Sequence, residues 1–155
     1  MRSFVENMLN LSKFAYRLNE LMIEKGLNAS ELAENSGVER SAIYRYLAAE
    51  IAPSTENAVK LSNYFGYKID FMLGLSDDDR MFDFKECAPF DERLKFLLKS
   101  KNKTQYALKK QTKISQSILH YWLKARYNPS LDNAVKLAKF FECSVDYVLG
   151  RIDYE

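Results

Sequence analysis

The chain has 155 residues, 47% of them hydrophobic, with five Gly, three Pro and a formal net charge of +2. Few breakers and ample apolar residues suit compact helical domains with short connections. No apolar run approaches the roughly 20 residues of a membrane span, so a soluble protein retained in the cytoplasm is expected, while one histidine, His120, and two unmatched cysteines, Cys87 and Cys143, exclude a His-based triad, a zinc site and a disulfide framework.

The opening stretch MRSFVENMLN carries Glu6 and lacks the uninterrupted apolar core of an export signal. Phe14, Leu18 and Leu21 then recur at i, i+4 and i+7, which predicts a first amphipathic helix stopping near Gly26. Asn28 stands three residues before Glu31, a capping box for a short second helix through Leu32 and Ala33. Gly37 ends that helix by taking a left-handed backbone. A third helix follows, with Val38, Ile43 and Leu47 inward and Glu39, Arg40, Ser41, Tyr44 and Arg45 toward solvent. Ser54 caps a fourth helix carrying Ala58, Val59, Leu61 and Phe65, and a short fifth, Ile69 to Leu73, ends at Gly74.

The chain then repeats itself. Pro53 to Gly74 and Pro129 to Gly150 match at eleven of 22 positions at a constant offset of 76 residues. The same offset pairs Phe14 with Phe90, Leu18 with Leu94, Leu32 with Leu108, Ser41 with Ser117 and Leu47 with Leu123. Two copies of one unit of about 62 residues follow, each too long for a solenoid repeat and therefore a small domain. The expected organisation is a first domain over 1–76, an acidic linker over 77–89 and a basic second domain over 90–155. Met81, Phe82 and Phe84 interrupt the acidic linker and predict that part of it docks. Stretched out, Ser76 to Pro89 would reach about 46–50 Å.

Charge divides unequally between the copies. Residues 1–76 carry eight basic and nine acidic side chains, 77–89 two and five, and 90–153 thirteen and six. A net +7 on the second copy, with Lys109, Lys110, Lys113, Lys124 and Arg126 around its second and third helices, is suited to phosphates. Tyr46 and Trp122 are equivalent and face inward, as do Phe65, Phe140 and Phe141, so they read as core and not as stacking platforms. The acidic residues Asp132 and Asp146, repeated as Glu56 and Asp70, stand at helix starts, where capping accounts for them. No catalytic constellation, Gly-rich phosphate loop, cofactor site or metal site is expected.

The segments GLNASELAENSGVERSAIYRYL and KTQYALKKQTKISQSILHYWL, each followed by a Pro-Ser helix and a terminal Leu-Gly, resemble the lambda repressor-like, Cro-type (XRE) helix-turn-helix family. The resemblance covers about 14–75 and 90–151. Ala33, Gly37 and Ile43 hold the spacing that lets two helices cross, and Lys109, Lys113 and Leu119 replace them in the second copy. A lysine in a left-handed turn costs on the order of 1 kcal/mol, so a looser or differently shaped second turn is expected.

The resemblance implies an all-α fold of two tandem five-helix domains and a non-enzymatic regulator that binds double-stranded DNA, as a tandem reader or a homodimer. It places Arg40, Ser41 and Arg45, and Gln116, Ser117 and Tyr121, against base edges. Phosphates would fall to Thr104, Gln105, Lys113, Lys124, Arg126 and Asn128. In the first copy Glu50 occupies the place of Arg126 and would repel a phosphate. The alternative is an interaction or antirepressor-type accessory protein that keeps the fold and uses the first domain to dimerise.

Overall fold

The computed structural model describes residues 9–154; Glu6 of the opening stretch and Glu155 lie outside the described residues. The described residues are folded as helices and turns, with one isolated bridge between Tyr67 and Met81, and the chain divides between Asp83 and Phe84 into two units.

In the first unit, α1 (Leu11–Lys25) opens where the Asn10 side chain accepts the Lys13 N–H at 2.9 Å. It buries Phe14, Ala15, Leu18, Leu21 and Met22, and ends at Gly26. The capping box of α2 (Ala29–Ser36) forms in both directions: Asn28 Oδ1 accepts the Glu31 N–H at 2.8 Å, and Glu31 Oε1 accepts the Asn28 N–H at 2.9 Å. A three-residue turn through Gly37 leads into α3 (Arg40–Leu47). Ser54 caps α4 (Thr55–Phe65), and α5 (Ile69–Met72) closes the unit. Helix α3 lies on α1 and α2, α4 lies on α2, and α5 returns to α1 and α4. Leu18, Leu32, Ile43, Leu61 and Ile69 meet at the centre with no exposed surface. Each such burial is worth about 1.5–3 kcal/mol.

The second unit repeats this order with α6 (Phe90–Ser100), α7 (Gln105–Thr112), α8 (Gln116–Trp122), α9 (Leu131–Phe141) and α10 (Val145–Val148). Thr104, Ser115, Ser130 and Ser144 cap its last four helices. Of the two expected departures, a looser turn or a differently shaped one, the second does not occur. Lys113 takes φ 64°, close to the 83° of Gly37, and again three residues separate the two helices. Asn102 and Glu142 are likewise left-handed where the first unit has Gly26 and Gly66. Lys113 thus bears the strain of a left-handed backbone without reshaping the turn, while α7 and α8 pack less closely on each other than α2 and α3 do.

The acidic stretch between the repeats docks at both ends. After α5, the chain turns back so that the Phe82 N–H donates to the Gly66 carbonyl at 2.9 Å, and the half-buried Asp78 pairs with the buried Lys68 at 3.2 Å. Gly66 faces the Met81 side chain so closely that a β-carbon there would stand 2.8 Å from Met81 Cε. On the second unit, Lys85 and Ala88 donate to the carbonyls of Arg151 and Leu149 at 2.9 and 3.0 Å. Phe84 lies under the Arg151 guanidinium, 4.1 Å from ring centre to Cζ. Between Phe82 and Phe84 a single residue, Asp83, remains. The 14-residue reach therefore requires both arms to peel away.

Helix starts do not account for Asp146. Its carboxylate is fully buried in α10 and receives the guanidinium of Arg151, also fully buried. Burial pushes Arg151 down from its ordinary range, and the Asp146 charge opposes that shift. The first unit has Leu75 at the place of Arg151, so the pair is specific to the second copy.

Candidate nucleic-acid interface

Helix α8 is a short amphipathic helix whose inner side is apolar. Leu119 and Trp122 are buried, and Trp122 packs edge-on against Phe90 at 5.6 Å. That anchoring turns Gln116, Ser117, His120 and Tyr121 outward, all exposed. Ser115 caps the helix by accepting the Ile118 N–H at 3.2 Å, which sets Gln116 at its first turn. The Gln116 side-chain oxygen accepts a hydrogen bond from the Lys109 ammonium on α7, so the amide is held in place before any ligand arrives.

All six expected phosphate-contacting residues of this unit are exposed, but they differ in what they touch. Gln105 begins α7, Lys113 occupies the turn and Lys124 follows α8. Thr104 spends its hydroxyl oxygen on the Ala107 N–H at 3.0 Å. Arg126 is drawn to the start of α6, 3.2 Å from Glu92 and 3.8 Å from Asp91. Asn128 stands beside Cys87, whose thiol is pushed up by burial while Asn128 opposes that shift. The structure thus leaves Gln105, Lys113 and Lys124 facing solvent and engages Thr104, Arg126 and Asn128 within the protein.

The first unit presents the equivalent helix differently. Ile43 and Tyr46 anchor α3, and Tyr46 accepts a hydrogen bond from Asn57 at 2.9 Å. Burial pushes the Tyr46 phenol up, in keeping with a core role. Arg40, Ser41 and Arg45 are exposed. Arg40 donates to Ser30 at 3.3 Å, and Arg45 pairs with Glu50 at 3.4 Å. The acid in this loop therefore occupies the arginine as well as replacing a base.

A basic cleft went unread in the sequence. Lys95, Lys99, Lys103, His120 and Lys124 line an open depression of about 750 Å³, with Gln105 at its edge. The signal was present: Lys95, Lys99 and Lys103 recur every four residues along one face of the first helix and the turn after it. Among the described residues no helix is long and apolar enough to cross a membrane, and no three His, Cys, Asp or Glu side chains gather as metal ligands.

Two units, each presenting an exposed third helix joined to a second by a three-residue turn, define a tandem helix-turn-helix protein. A helix-turn-helix family model matches residues 18–72 and 94–148, together more than half of the chain, and the chain belongs to this XRE-type family of DNA-binding regulators. No match was found among curated proteins or solved structures.

Proposed function

We propose that this chain is a sequence-specific, repressor-like transcriptional regulator that binds double-stranded DNA in the cytoplasm, with the second unit supplying most of the affinity. The observation that carries this reading is the outward stripe of α8, with Gln116, Ser117 and Tyr121 exposed and the lysines of a net +7 unit beside it. With α8 in the major groove, Gln116 offers the bidentate amide that matches adenine, and Ser117 either donates or accepts. A phosphate arriving near Lys109 and Arg126 competes with Gln116 and with the Asp91–Glu92 pair for these cations, freeing the reader as contact forms. The first unit adds base contacts through Arg40, Ser41 and Arg45 with little phosphate attraction. Selection from a random duplex library with the purified chain tests this: one enriched motif is expected, and no enrichment up to micromolar protein contradicts it.

A second reading of the first unit is favoured by its exposed apolar side chains. Ile23 and Tyr44 are 71% and 58% exposed, at the places where the second unit has Lys99 and His120. This suits protein contact, either homodimerisation or the docking of an accessory protein. Sedimentation equilibrium of the full chain and of Ile23→Lys separates a dimer from a monomer.

A further inference from the structure

We propose that the cleft formed by α6, the turn after it and the end of α8 grips phosphoryl oxygens of the DNA backbone, apart from the residues that read bases. The inference rests on the DNA-binding reading above and assigns a further contact surface to it. Lys95, Lys99, Lys103, Lys124 and His120 line the cleft, the Lys103 ammonium also lying 5.3 Å from the Phe140 ring centre, and no acidic side chain is among the lining residues. Lysines four residues apart repel one another. Among the described residues none of these four lies within ion-pair distance of a carboxylate, whereas Lys85, Arg126 and Arg151 of the same unit are each matched to acids. An anion would relieve that repulsion.

Position favours a backbone strand. His120 lies three residues past Ser117 on the α8 surface, and Lys124 lies two residues beyond the end of that helix. At 1.5 Å per residue His120 is roughly 5 Å further on, and Lys124, past the helix end, lines the same cleft. A major groove is about 12 Å wide, so a helix reading bases at its first turn sets these residues toward a phosphate wall of the groove. The repeat supplies an internal comparison. The corresponding positions of the first unit are Asn19, Ile23, Leu27, Tyr44 and Ala48, with no charge among them. The fold therefore does not need this cluster.

The test compares the full chain with the Lys95→Gln/Lys99→Gln variant on the preferred duplex and on random duplex across a salt series. The log-log salt slope should become less steep by about 1–2, with preferred and random duplex weakened by the same factor. Lys85→Gln, which removes a lysine paired with Asp153 outside the cleft, should leave the slope unchanged. Calorimetric titration with tripolyphosphate distinguishes a free ligand from the backbone. Tight binding lost in the double variant, with an unchanged DNA slope, would overturn the assignment to DNA. An unchanged slope with unchanged affinity overturns the cleft alone, and failure of the parent chain to bind any duplex overturns the DNA reading beneath it. Circular dichroism verifies that the variants remain folded.

Discussion

Gln116 opens α8 and Lys124 follows its end, and the two side chains do different work. Gln116→Ala should cost about 1–3 kcal/mol on the preferred duplex and relax choice at one base pair, while Lys124→Ala should weaken all sequences alike. Equilibrium binding to single-base variants of the site checks both, and equal loss on specific and random DNA would remove α8 as the reader. Helical period made the outward direction of these side chains legible in the sequence. Their partners were not legible, because Lys109 on Gln116 and Glu92 on Arg126 depend on side-chain reach between helices. Asp78 is another such case. Its hydrogen bond from Arg80, aided by Lys68, holds the carboxyl well below the usual range. A lowered folded pKa stabilises the docked arm above about pH 4, and this contribution is lost as pH falls through the folded value. Carboxyl NMR titration should find Asp78 ionised below the usual carboxylate range, and Lys68→Gln should raise its midpoint.

At the scale of elements, the copies reach the same fold at different local cost. Gly26, Gly37 and Gly66 end helices without strain in the first unit, whereas Asn102, Lys113 and Glu142 adopt the same left-handed backbone in the second. Glu142→Gly should raise the stability of the second unit by about 1 kcal/mol, or about 4–8 °C in Tm, measured by calorimetry. The sequence marked Lys113 as a misfit, but the turn keeps its backbone: Ile114 within it is buried with Leu108 and Leu119 on either side, and Thr112 Oγ1 accepts the Ile114 N–H at 3.2 Å. Arg151 was illegible for a different reason. It lies past the last predicted helix in a polar stretch, and nothing local says that its guanidinium turns inward to Asp146. Arg151→Leu leaves that carboxylate buried without its cation and should cost about 3–5 kcal/mol, seen as a lower denaturant midpoint for the second unit. The repeat itself, the helix order and the core were read directly from the 76-residue offset and apolar spacing, because both units bury the same face of each helix.

For the whole molecule, duplication has produced two units with one helix order and differently charged surfaces. The second carries the basic cleft and the unblocked Gln105, Lys113 and Lys124, while the first pairs Arg45 with Glu50 and exposes Ile23 and Tyr44. Each arm is bonded to its own unit, and a gain from tethering depends on whether the arms stay docked when DNA binds. The cut between Asp83 and Phe84 keeps each arm with its own unit, including Phe84 beneath the buried Arg151. The most direct measurement is the salt-dependent affinity of residues 1–83 and of residues 84–155 for the duplex selected by the full chain. The full chain should give a log-log slope near −4 to −5, corresponding to about 4–6 neutralised phosphates. Residues 84–155 should keep most of that slope at reduced affinity, and residues 1–83 should show no binding; equal or tighter binding by residues 1–83 would contradict the account.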